Sequence, residues 1–170
     1  MKKSGKNVPY LDLSITSTQL TDELLEAVRT VLTHGRVILG PEVSMFEEKI
    51  SAFCFRSYAV GVGSGTDALY LALRAVVVSR GDEVITTPLS WIATANAITL
   101  VGACPVYVDI GTDLNIDPML IEEKITPRTK AIVPVHFTGA VCRMDLVQEI
   151  AVRHGLLVIE DAAQAFGSRL

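Results

Sequence analysis

Apolar residues recur along this chain in two alternating rhythms. In TDELLEAVRTVLTH, Leu24, Leu25, Val28, Val31 and Leu32 fall near a spacing of 3.6 and predict an amphipathic helix, with Thr21 as its cap. Gly40-Pro41 opens a second helix, since proline at the first helical position gives up an N–H that lacks a partner there anyway. Phe46, Ile50 and Phe53 form the expected buried face of that helix. From residue 58 onward, short apolar runs alternate with helical stretches. YAVGV (58–62) precedes a helix expected over 66–79, with Ala68, Leu71, Ala72 and Ala75 facing inward. EVITT (83–87) precedes a helix near 91–101. PVYVD (105–109) leads into a loop, then a short helix that Asp117-Pro118 opens and that runs to about 124. KAIVPVHF (130–137) precedes MDLVQEIAVRH (144–154), which Gly155 closes, and LLVIE (156–160) is the fifth run.

Five apolar runs separated by helices predict an α/β fold with a mostly parallel sheet covered on both faces. Residues 1–55 read as a helical N-terminal segment packed on this body, and residues 56–170 as the α/β body itself. Composition supports a packed core: of 170 residues, 49% are hydrophobic and 20% charged. A net charge of −4, from 15 basic and 19 acidic residues, gives no electrostatic footprint for nucleic acid or an anionic membrane. The basic cluster MKKSGK reads as a solvated tail, and no apolar run approaches the roughly 20 residues that span a bilayer. Cys54, Cys104 and Cys142 are odd in number and form no CxxC pair, which fits buried free thiols in a reducing cytoplasm. The three histidines share no metal-ligand spacing with them.

Open α/β sheets bind ligands outside the carboxyl ends of their strands, and this chain's unusual polar residues fall there. The first run ends in Gly63-Ser64-Gly65-Thr66-Asp67, the second leads to Ser90 and Trp91, and later runs end at Asp109, His136 and Asp161. Small residues before a helix start let backbone N–H groups approach a phosphate. GSGTDAL is neither a dinucleotide fingerprint, a P-loop nor a nucleophile elbow. Thr66 stands where the first and last need glycine, Val62 breaks the elbow again, and no lysine follows the last glycine. Alone it is as readily a plain tight turn. Trp91, the only tryptophan, is either a core or rim residue or a stacking surface. Asp161 follows an apolar run, where an unpaired carboxylate is costly. It is either a helix cap for AAQAF or the partner of a buried cationic nitrogen, such as a protonated pyridine. Gln164, one turn on, could donate to a neighbouring oxygen. His136 reads as a hydrogen-bonded structural residue, Asp109 as a turn residue, and Asp67 as suited to the helix dipole.

Taken together, these segments resemble the N-terminal part of the DegT/DnrJ/EryC1/StrS family of sugar aminotransferases, which use pyridoxal phosphate. HGRVILGPEVSMFEEKISAF (34–53), YAVGVGSGTDALYLAL (58–73), GDEVITTPLSWIATANAI (81–98), PVYVDI (105–110), AIVPVHFTGA (131–140) and VIEDAAQAFGS (158–168) occur in the family's order. The resemblance implies the large domain of the fold-type I transferase fold, three layers deep, with a C-terminal small domain outside these residues. It further implies that Gly65 and Thr66 hold the cofactor phosphate through backbone N–H groups. Trp91 would stack on the pyridine ring, Ala163 would press on its other face, Asp161 would pair with the ring N–H⁺, and Gln164 would lie near the phenolic oxygen. The family's Schiff-base lysine falls beyond Leu170, and none of the lysines at 2, 3, 6, 49, 124 and 130 has its context. The expected activity is transfer of an amino group, with glutamate as donor, to a nucleotide-linked keto-sugar. The expected setting is a cytoplasmic homodimer, and these residues alone are expected to be inactive. Three alternatives carry other expectations: a pyridoxamine-dependent sugar dehydratase relative, a non-catalytic cofactor- or partner-binding module, and a plain nucleotide binder.

Overall fold

The computed structural model describes Pro9 and residues 11–169, so the MKKSGK cluster lies outside the described residues. The chain divides into two compact units, Met1–Gly61 and Val62–Leu170.

The first unit holds α1 (Thr18–His34) and α2 (Pro41–Phe53). The cap of α1 is Ser17, whose Oγ accepts the Leu20 N–H at 3.2 Å. Thr21, expected as the cap, sits inside the helix and donates its hydroxyl to the Ser17 carbonyl. Proline does open α2, after Gly40. A Cβ on Gly40 would stand 2.5 Å from the Arg36 carbonyl oxygen, so only glycine fits there. The apolar stripes of both helices are largely exposed, Leu24, Leu25, Val28 and Leu32 of α1 included, and in α2 Phe46 and Phe53 are exposed, contrary to the buried face expected of that helix. A periodic stripe states what a helix can bury and does not by itself supply the covering surface. YAVGV is likewise not a strand. Tyr58 and Val60 are exposed, and the Gly61 N–H donates to a side chain, Glu47 Oε1 at 2.7 Å, where a strand would have a ladder partner.

The second unit is the expected α/β fold with one strand fewer. Strands β1 (Glu83–Thr86), β2 (Cys104–Tyr107), β3 (Thr129–Ile132) and β4 (Leu157–Val158) form a parallel sheet in the order β2-β1-β3-β4. Successive strand residues alternate between two cores. Val84 and Ala131 join Leu69 and Leu73 of α3 (Gly65–Ala75) and Ala97 and Ile98 of α4 (Ile92–Leu100). Ile85 and Ile132 face the other way, against Val147 and Ile150 of α5 (Met144–His154). The sheet is thus covered on both faces, as its β-branched composition requires. The buried face of α3 is Leu69 and Leu73, not the expected set, of which Leu71 is exposed. ALYLAL is apolar on almost every side, so its period does not choose a face. The stretch 117–124 is two 3-10 turns, Pro118–Leu120 and Glu122–Lys124, in place of one helix.

α4 follows β1 on one face, and α5 follows β3 on the other. The strand order therefore switches between β1 and β3, which opens a crevice at their carboxyl ends.

At the opposite end of the sheet, the buried carboxylate of Glu83 accepts the Thr126 hydroxyl at 2.6 Å and Arg128 Nε at 3.0 Å. The Thr126 hydroxyl, then the Arg128 guanidinium, hold its pKa below the ordinary 4.5. A folded-state pKa below the unfolded one stabilises the fold fully above pH 4.5, and that stabilisation is lost as the pH falls through the lower, folded value. Glu83→Gln is therefore expected to flatten the acid limb of the urea midpoint plotted against pH. Parallel limbs for the two proteins would exclude this role for Glu83.

Candidate functional site

The crevice holds a cavity of about 300 Å³. Gly65, Thr66, Trp91, Asp161, Ala163 and Gln164, drawn from three separate parts of the chain, all line it.

One wall is the start of α3. Ser64 caps the helix, its Oγ accepting the Asp67 N–H at 3.1 Å and donating to Asp67 Oδ2 at 2.9 Å. Ala68 is the first residue to find its helical carbonyl partner, Ser64. The N–H groups of Gly65 and Thr66 are left over at the positive end of the helix. A Cβ on Gly65 would meet nothing within 4 Å, so the side-chain position at the helix start is open. Trp91 stands at the N-cap of α4, 76% exposed, with its indole bordering the cavity.

The opposite wall follows β4. Asp161 continues the sheet by a parallel bridge to Val135, and its backbone N–H donates to the Pro134 carbonyl at 2.9 Å. The residue is only 8% exposed. Its carboxylate accepts the Thr94 hydroxyl at 2.7 Å on Oδ2 and the Ala163 N–H at 3.3 Å on Oδ1. Both donors are neutral, and no Lys, Arg or His among the described residues pairs with it. AAQAF forms turns, not the helix a capping role would require. A buried anion without a counter-cation, facing a cavity, is poised to receive positive charge there.

Gln164 Oε1 accepts the Thr138 N–H at 2.7 Å, which leaves the amide NH₂ as this side chain's donor. Thr138 makes that bond from a left-handed conformation, φ 53°, unusual for a β-branched residue.

Among the strand-end residues outside the six, Asp67 serves the α3 cap, and Asp109 Oδ1 accepts the N–H of Ile110. His136 is buried behind the Asp161 backbone, to whose carbonyl it donates at 3.1 Å. Its Nε2 lies 3.0 Å from Glu160 Oε2, and its Nδ1 lies 3.3 Å from the Cys142 N–H. The Cys142 side chain and the Glu160 carboxylate push its pKa up to about 9, against the opposing effect of burial.

Sequence reasoning missed Thr94 and Phe137. Thr94 had a signal, a threonine four residues after Ser90 near the start of a mostly apolar helix. Phe137 had none, because a turn held by tertiary contacts carries it.

Residues 18–170 match the model of the DegT/DnrJ/EryC1/StrS aminotransferase family. This chain belongs to that family. The dTDP-3-amino-3,4,6-trideoxy-alpha-D-glucose transaminase of Streptomyces venezuelae is 47% identical over 163 residues, which are 95% of this chain and 43% of that relative. Among solved structures, S. venezuelae DesV in complex with a ketimine intermediate aligns with TM-score 0.91 at 47% identity, over 94% of this chain and 43% of that one. NtdA from Bacillus subtilis, with bound cofactor PMP, aligns with TM-score 0.87 at 40% identity, over 89% of this chain and 35% of that one. The chain thus spans less than half the length of each of these relatives.

Aminotransferases of this family depend on pyridoxal phosphate, a molecule with a phosphate, an aromatic ring and a basic ring nitrogen. The donors present suit each part. Two unpaired N–H groups at a helix N-terminus suit the phosphate, an indole suits the ring, and a buried carboxylate without a cation suits a protonated nitrogen. Among the described residues no helix is long and apolar enough to cross a membrane, and no cluster of His, Cys, Asp and Glu could hold a metal ion.

Proposed function

We propose that this chain provides the cofactor-binding part of a pyridoxal-phosphate-dependent aminotransferase that converts a nucleotide-linked keto-sugar to an amino-sugar. The observation that carries the reading is Asp161, a buried carboxylate in the cavity wall with only neutral donors around it.

In this reading, residues 56–170 are the core of the large domain, and residues 1–55 are its N-terminal helical segment. The Gly65 and Thr66 N–H groups receive the phosphate, Trp91 and Ala163 sandwich the ring, and the Gln164 amide donates to the phenolic oxygen. When bound, pyridoxal phosphate supplies an electron sink for the negative charge that develops at the amino donor's α-carbon. Asp161 holds a proton at the ring nitrogen, which keeps that sink strong. In this reading these residues alone bind the cofactor without turning substrate over. Glutamate is the proposed donor. The proposed whole protein is a cytoplasmic homodimer whose sites the neighbouring subunit completes.

The sole tryptophan makes a direct test possible. Pyridoxal phosphate is expected to quench Trp91 fluorescence saturably, and inorganic phosphate is expected to compete. An unquenched indole, or quenching by a dinucleotide such as NADH alone, refutes the assignment.

A further inference from the structure

We infer that Thr94, oriented by Ser90, is a positioning residue that fixes the Asp161 carboxylate for the cofactor's ring nitrogen. The inference rests on the proposed pairing of Asp161 with that nitrogen.

Threonines in this chain's helices usually satisfy their hydroxyls locally. Thr21, Thr30, Thr33 and Thr99 each donate to a backbone carbonyl three or four residues back. Thr94 does not. It is 2% exposed, and its hydroxyl reaches 67 residues along the chain to Asp161 Oδ2. An ionised carboxylate only accepts, so the single hydroxyl proton of Thr94 is committed to it. Ser90 Oγ, 2.8 Å from Thr94 Oγ1, must then donate to Thr94. The result is a one-way relay, Ser90 to Thr94 to Asp161.

The relay crosses the sheet. Thr94 lies on the helix after β1, Asp161 lies after β4, and β3 separates the two strands. It ties Asp161 to the segment that carries Trp91, so the carboxylate and the stacking surface keep one spacing. Thr94 is also the only side chain that donates to Asp161 among the described residues. The other carboxylate bond, from the Ala163 N–H, is longer at 3.3 Å and comes from two residues away along the chain. Without Thr94 the carboxylate rotates about its own side-chain bonds, and only part of that population faces a ring nitrogen.

A structural staple between α4 and the end of β4 would use the same hydrogen bond, so the test must separate the two roles. Dissociation constants of the full 170-residue chain, read from Trp91 fluorescence, are compared for pyridoxal phosphate and its 1-deaza analogue, which carries C–H in place of the ring nitrogen. The native chain is expected to prefer pyridoxal phosphate. Thr94→Val is expected to lose about tenfold in affinity for it, with affinity for the analogue unchanged. Thr94→Ser, which restores the donor, is expected to recover most of the loss. Ser90→Ala, which leaves Thr94 in place, should lose about threefold, again for pyridoxal phosphate only, and serves if the valine variant folds poorly. Equal losses for both ligands, or none, overturn the positioning role. A native chain indifferent to the ring nitrogen overturns the Asp161 assignment instead, and a chain that binds neither ligand overturns the proposed function.

Discussion

Replacing Asp161 with asparagine is expected to lower affinity for pyridoxal phosphate about a hundredfold, close to 3 kcal/mol, without destabilising the cofactor-free fold. The two halves of this expectation have one cause. Asp161 is a desolvated anion held by a hydroxyl and an N–H, with no cation nearby. Such a charge is unfavourable until a ligand brings the opposite one. Asparagine keeps the shape, and its carbonyl oxygen still accepts from Thr94. Its amide NH₂ then faces the Ala163 N–H, a mild loss that the removed charge offsets. With cofactor present the balance reverses, because an amide gives a protonated ring nitrogen no ionic partner. Thermal denaturation with and without added pyridoxal phosphate reads both halves. The native chain is expected to gain melting temperature on addition, and the variant is expected to gain little. A variant that melts well below the native chain without cofactor would make Asp161 a structural residue, and an undiminished ligand-induced gain would remove it from the site.

How much of this was legible in the sequence depends on the range of the forces involved. The carboxyl ends of β1, β3 and β4 were readable because buried parallel strands are continuous apolar runs, and a polar residue at the end of such a run stands out. Hence Trp91 and Asp161 could be nominated as residues gathered at one edge, and with Gly65 they line one cavity. YAVGV had the same apolar look but no neighbouring strand, and pairing, not hydrophobicity, makes a strand. α5 buries Met144, Val147, Ile150 and Ala151 on one clean face, whereas ALYLAL in α3 offers several faces and its burial was misread. Thr94 and Asn115 stayed hidden for a different reason. Each acts through a hydrogen bond to a residue more than twenty positions away, and no local pattern encodes the partner.

Asn115→Asp is expected to destabilise the fold by about 3 kcal/mol at neutral pH and to weaken cofactor binding several-fold, although Asn115 does not line the cavity. Asn115 is 1% exposed and clamps the turn after β3 from both ends. Its Oδ1 accepts the Phe137 N–H at 3.1 Å, and its Nδ2 donates to the Ala140 carbonyl at 3.2 Å. The first anchor, Phe137, borders the cavity, and between the two lies the left-handed Thr138, whose N–H holds Gln164. Aspartate preserves the shape but sets a buried charge against a carbonyl oxygen, so one anchor becomes repulsive. Asn115→Leu removes both bonds without adding charge, and water can reach the exposed Ala140 carbonyl, so about 1.5 kcal/mol is expected. A drop in melting temperature of about 10 °C for aspartate and about half that for leucine would express this order. The two variants should also differ with pH. Burial raises the pKa of the introduced carboxyl, which on acidification becomes neutral and regains a donor for Ala140. The aspartate variant should therefore recover towards the native chain as the pH falls to about 4, while the leucine variant should not. Equal destabilisation by the two substitutions, or full cofactor affinity in both, would show that the turn holds its shape without Asn115.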